Sequence, residues 1–173
     1  MSVLPKKPLT KAGYERLHAE RERLLRVERP KVVKGVTEAA AEGDRSENAE
    51  YIYGKKHLRE IDKRLAYLSG LLKDVQIIDE STLSGDVVVF GATVVVRDEH
   101  DLVKRWMIVG DGEADFSGGT ISYKSPVARA LLGKRVGDVV EIVRPKGVTE
   151  VEIVALEFPS PASGRGTKGE GVK

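Results

Sequence analysis

The chain has 173 residues, 32% of them charged and 40% hydrophobic, with a formal net charge of +2 and no cysteine. That length suits one domain or two small ones, and the missing thiols exclude disulfides, thiol catalysis and cysteine-ligated zinc. No apolar run is long enough to cross a bilayer, so no membrane partner is expected. The opening MSVLPKKPLT has lysines but no apolar core, which is not the form of a secretory signal, and a cytoplasmic location is expected. The small net charge hides an asymmetry. Residues 1–78 hold 17 Lys and Arg against 12 Asp and Glu, a balance of +5, while residues 79–158 hold 9 against 14, a balance of −5. The N-terminal half therefore has the better claim to a phosphate-rich partner.

In chain order, Thr10 is placed to cap a helix starting near Lys11, with Tyr14, Leu17, Leu24 and Leu25 at helical spacing. Pro30 predicts a kink rather than an end, because Val32, Val33 and Val36 continue the apolar face. A second helix follows. Its Leu58, Ile61, Leu65, Leu68, Leu72 and Val75 alternate steps of three and four, a heptad seam flanked by charge. Such a seam also suits a coiled coil between chains. The short link between the helices favours an antiparallel hairpin within one chain, and hence a monomer. Arms of about 30 residues at about 1.5 Å per residue would project on the order of 45 Å.

Composition changes near residue 80. Asp79–Asp86 reads as a linker, and Val87–Phe90, Thr93–Arg97 and Val103–Val109 as strands. Asp111–Gly119 reads as loop. Ser125 and Pro126 open a short helix that Gly133 ends, and Val139–Val143 and Glu150–Ala155 alternate as further strands. The expected class is α+β: a coiled-coil domain over 9–78, a small domain with a mostly antiparallel sheet and one short helix over 79–158, and a disordered tail over 159–173.

The stretch EGDRSENAEY, Glu42–Tyr51, crowds four carboxylates at the far end of the rod. Asp44 and Glu47 stand at i and i+3. That spacing has the form of a capping box, in which an acid accepts a first-turn N–H and the second acid reaches back. The alternative is a hard-metal site, since carboxylate oxygens suit Mg²⁺, which completes its shell with water and phosphate. Two ligands hold a cation weakly, so such a site becomes useful when another molecule supplies the rest. Behind the tip, Lys55, Arg59 and Lys63 run at i, i+4 and i+8, with Lys56 beside them. They fit either a solvated flank or a contact to nucleic-acid phosphate.

GDRSENAEYIYGKKHLREIDKRLAYL resembles the second-helix segment of the bacterial Gre transcript cleavage factors, in its GreB-like form. LTKAGYERLHAERERL, the ERP at Glu28–Pro30 and ISYKSPVARALLGKRVGDVVEI are similar to other parts of that family in the same order, over about residues 9–158. The resemblance implies a coiled coil followed by an FKBP-like domain, and binding to RNA polymerase. It implies that the rod enters the polymerase's secondary channel and stimulates Mg²⁺-dependent cleavage of backtracked nascent RNA, with the polymerase's own centre doing the cutting. By motif match it puts Asp44 and Glu47 at the tip, sharing Mg²⁺ with the polymerase, and Lys55 and Lys56 in the basic patch facing the extruded RNA 3′ end; Arg59 and Lys63 extend that patch.

Two other functions compete. A prolyl isomerase needs an aromatic pocket, and Phe90, Trp106, Phe116, Tyr123 and Phe158 are few enough to be used up by a small core. A channel-binding regulator without cleavage would lack a metal-competent tip. The loop Phe116–Tyr123 is a candidate contact with polymerase.

Overall fold

The computed structural model describes residues 5–43 and 47–159. The chain divides into two compact units. One spans Gly13–Val75, and the other is formed by the segments up to Ala12 and from Gln76 onward. Residues 9–12 and 76–78, assigned from sequence to the coiled coil, thus cluster with the sheet. The tail from residue 160 lies outside the described residues.

The helical unit is a hairpin. Helix α1 (Lys11–Arg23) passes through one π-helical turn, Leu24–Glu28, into α2 (Arg29–Ala41), and α3 (Ala49–Leu72) returns. The irregularity expected at Pro30 lies one turn earlier. The Arg29 N–H reaches back five residues to the Leu24 carbonyl, and Pro30 sits in the first turn of α2, where its missing donor is tolerated. The wider turn opens the backbone where the proline ring would otherwise meet the Arg26 carbonyl.

Cross-links between the arms fix the antiparallel register. Arg29 pairs with Asp62 at 2.7 Å, Arg64 grips both carboxylate oxygens of Glu20 at 2.7 and 3.0 Å, and Arg21 donates to Ser69 at 3.0 Å. Leu17, Leu24, Ala39, Ile61 and Leu68 are buried between them, so the heptad seam faces inward as its spacing requires. At Gly54 the arms come close: an added Cβ would stand 2.7 Å from a Val36 methyl.

The Arg64 guanidinium holds the Glu20 carboxyl below its ordinary range, chiefly through the hydrogen bond between them. A depressed carboxyl stabilises the fold above its unfolded value, and that contribution is lost as pH falls through the folded value. Glu20→Gln should therefore cost about 0.2–1 kcal/mol at neutral pH, the usual worth of a half-exposed ion pair. The difference should vanish in acid, and urea denaturation at both pH values checks it.

The second unit is built on a five-stranded sheet in the order β5-β4-β3-β7-β6. Its strands are β3 (Thr93–Asp98), β4 (Val103–Val109), β5 (Thr120–Ser122), β6 (Val139–Arg144) and β7 (Gly147–Glu157). Within this sheet β4 and β5 are the one parallel pair, so the mostly antiparallel reading holds. Helix α4 (Pro126–Leu131) starts as expected, with the Ser125 hydroxyl accepting the Ala128 N–H at 3.2 Å. Ala128 and Leu131 are fully buried in a core with Val94, Ile108, Ile142 and Ile153.

One strand expectation needs correction. Val87–Phe90 is not a strand: Val87 makes a single bridge to Arg135. The Val88 N–H goes to the Lys134 carbonyl at 2.8 Å while Val88 and Phe90 plug the core, and Gly91 then turns with φ of 89°. The apolar run was real, but it records burial rather than pairing.

Thr10 directly precedes α1, which starts at Lys11 as expected, and it has a further role. It ends a short strand β1 (Pro8–Thr10), which pairs in parallel with β2 (Gln76–Ile78). Its N–H donates to Glu113 at 3.0 Å and its hydroxyl donates to the same carboxylate, which also takes the Gly110 N–H at 2.6 Å. The Lys11 N–H, at the start of α1, goes to Glu80 at 3.2 Å. A buried carboxylate thus pins the N-terminal strand, and only glycine fits at 110, where a Cβ would lie 2.5 Å from both Glu113 and the Pro8 carbonyl oxygen. Among the described residues no helix is long and apolar enough to cross a membrane.

Candidate functional site

Helix α3 begins one residue after Asn48, whose backbone is extended (φ −82°, ψ 101°). Its side-chain oxygen accepts the Tyr51 N–H at 3.1 Å, and its amide nitrogen donates to the Ala39 carbonyl at 2.7 Å. One asparagine therefore caps α3 and ties its start to the end of α2. The capping-box reading is corrected for Glu47, which precedes the cap and lies outside the helix. Asn48 is of a type preferred at caps, as is Asp44 four residues before it, so residue type alone does not single it out. Asn48→Ala should cost about 0.5–2 kcal/mol, the usual loss on removing a cap, measured by thermal or urea unfolding.

Glu47 is exposed, with no hydrogen bond or ion pair among the described residues. Asp44 lies outside those residues. Glu50, in the first turn of α3, favours the positive end of the helix dipole. Among the described residues, no three His, Asp or Glu side chains come together as a metal site. Carboxylate oxygens have the right donor chemistry for Mg²⁺.

Lys55, Lys56, Arg59 and Lys63 are all exposed on α3. None is in an ion pair among the described residues, in contrast to Arg29 and Arg64 of the same hairpin. Lys55, Arg59 and Lys63 form a column about 12 Å long at about 1.5 Å per residue. Sequence reasoning missed Tyr53. It is 71% exposed, with its ring 6.2 Å from that of His57, between the turn and the column. An unburied aromatic within a heptad pattern was the available signal.

The aromatics of the sheet unit are mostly used by the core, as expected. Phe90 and Trp106 are buried, and Tyr123 packs edge-on against Phe90 at 6.0 Å. Phe116, 71% exposed, is the apolar side chain that its loop presents outward.

A helical hairpin with a carboxylate at its turn and unpaired cations behind it, followed by a small mixed sheet, defines a two-part class of protein. Comparison with known proteins agrees across the chain. Residues 7–77 match the family described as transcription elongation factor, N-terminal, and residues 83–158 match transcription elongation factor, GreA/GreB, C-term. GreA of Azorhizobium caulinodans is 46% identical over 157 residues, covering 90% of this chain and 99% of its own. GreB of Haemophilus ducreyi is 48% identical over 139 residues, covering 80% and 86%. The GreA homolog Gfh1 of Thermus thermophilus, a solved structure, is 32% identical over 87% of this chain and 97% of its own, with a TM-score of 0.40. The chain belongs to the GreA/GreB family of transcription elongation factors.

Proposed function

We propose that this factor binds RNA polymerase, inserts the turn of its hairpin into the secondary channel and stimulates the polymerase's own cleavage of backtracked RNA. The observation that carries the reading is the division of labour at the turn. Asn48 does the capping, so Glu47 is left as an exposed carboxylate without a hydrogen bond or ion pair among the described residues, three positions after Asp44 in sequence. Lone carboxylates here are of use where a partner completes the site.

In this reading Asp44 and Glu47 hold Mg²⁺ together with polymerase carboxylates. Held there, Mg²⁺ would supply the chemistry of activating a water and neutralising charge on the phosphate, with Asp44 and Glu47 as this chain's ligands to it. Lys55, Lys56, Arg59 and Lys63 attract the phosphates of the extruded 3′ segment, and Tyr53 offers a face on which a base can stack. The sheet unit, FKBP-like in this reading, docks on the polymerase, with Phe116 in its contact. The factor acts as a monomer in the cytoplasm and is not itself a nuclease.

The test adds the protein to a stalled, backtracked elongation complex. A shortened RNA that can be re-extended supports the reading, and magnesium-dependent cleavage of free RNA by the purified protein overturns it.

A further inference from the structure

Lys104 and Arg144 both stand over the single tryptophan of the chain. The Lys104 ammonium lies 5.9 Å and the Arg144 guanidinium carbon 6.0 Å from the Trp106 ring centroid. Neither cation has an ion-pair partner among the described residues. The Nε of Arg144 is buried without a hydrogen-bond partner. A charged donor shielded from water and left unsatisfied is unfavourable unless something else supplies an acceptor.

These groups border a cavity of about 210 Å³ on the sheet, walled on the apolar side by Val96, Leu102, Trp106 and Val151. Binding sites for drug-sized molecules start at about 300 Å³, so this one suits a single side chain. Asp98 and Glu99 also line it. The Asp98 carboxylate is engaged by its own turn, accepting the His100 N–H at 2.8 Å and the Leu102 N–H at 3.0 Å, so it does not satisfy the cations by direct pairing. Asp98, Glu99 and His100 lie beside the two cations, and the two acids make a doubly charged phosphate less favourable here than a singly charged carboxylate.

We propose that this pocket binds a carboxylate on an apolar stem, in the form of an acidic side chain of a partner protein. The guanidinium fork and the ammonium take the carboxylate, and the stem lies against Val96 and Val151. The site shares no residue with the hairpin, and its occupancy is measured without polymerase or RNA.

Because Trp106 is the only tryptophan, its indole N–H resonance in the ¹⁵N-labelled full chain reports on this pocket alone. The probe is a tripeptide, Leu-Glu-Leu, blocked at both ends, compared with its Leu-Gln-Leu counterpart and with inorganic phosphate. The glutamate peptide should shift the resonance saturably and the glutamine peptide should not. Lys104→Gln and Arg144→Gln should each weaken binding roughly tenfold or more, the effect of removing one partner from a desolvated charge contact. Lys104 is exposed, so its variant keeps the test valid if the half-buried Arg144 proves necessary for folding. Three results would overturn the proposal: no saturable shift, equal shifts from both peptides, or undiminished binding in the folded Lys104→Gln variant. Phosphate binding more tightly than the glutamate peptide would overturn the carboxylate assignment.

Discussion

Asp44→Asn and Glu47→Gln will each leave a protein that folds and binds RNA polymerase but loses most stimulated RNA cleavage. The stability half of this result rests on Asn48. Since that residue makes the cap, Glu47→Gln is an ordinary surface change and should alter stability by no more than about 0.5 kcal/mol. Asp44→Asn keeps a side chain of the same shape. The activity half rests on charge. An amide retains hydrogen bonding but competes poorly with water for Mg²⁺. A metal ion's stabilisation of developing charge is worth several kcal/mol, and each 1.4 kcal/mol is about tenfold in rate, so a loss of at least roughly tenfold is expected. Raising Mg²⁺ should recover part of it by mass action. The measurements are melting temperature, polymerase binding, and cleavage in a backtracked complex across a magnesium series. Variants that fold, bind and cleave like the parent would show that the acids at the turn have no part in the chemistry. The Asn48→Ala protein is the matching control: it should lose stability while keeping both carboxylates.

The helical half was largely legible because its signal is periodic. Ile61 and Leu68 are buried as the three-four spacing requires, and the charges between the seam positions became the cross-links that set register. What the pattern could not show was how Pro30 would be accommodated, since a π turn leaves no compositional mark. In the sheet half, long alternating runs became β3, β4, β6 and β7. The three-residue strands β1, β2 and β5 were missed because pairing so short is set by partners distant in sequence. The Thr10–Glu113 link joins residues 103 positions apart, and nothing local in either segment announces it. At the candidate site the residue types were legible and the cap assignment was not. Asp44 and Asn48 are both good N-caps in principle, and Asn48 is fixed in that role by its amide reaching the Ala39 carbonyl.

Replacing the basic column tests the other half of the proposed site. The Lys55→Gln, Lys56→Gln double variant should weaken action on complexes with a long extruded RNA more than on those backtracked by a few nucleotides. Adding Arg59→Gln and Lys63→Gln should deepen the difference. The four side chains are exposed and form no ion pair within the described residues, so stability should change by no more than about 0.5 kcal/mol for each. Longer RNA brings more phosphates within reach of the column, whereas a short extruded end meets only the turn. Every phosphate that no longer meets a cation keeps its counterion. The salt dependence of the apparent affinity should therefore flatten by about 0.7 in log–log slope for each such phosphate on a single strand. Tyr53→Ala separates charge from stacking: it should weaken the same long-RNA complexes while leaving that slope unchanged, because a base stacked on a ring releases no ion. Cleavage rates measured at two backtracking depths across a salt series distinguish these outcomes. Equal loss at both depths and at every salt concentration would mean that the column contacts the polymerase rather than the RNA.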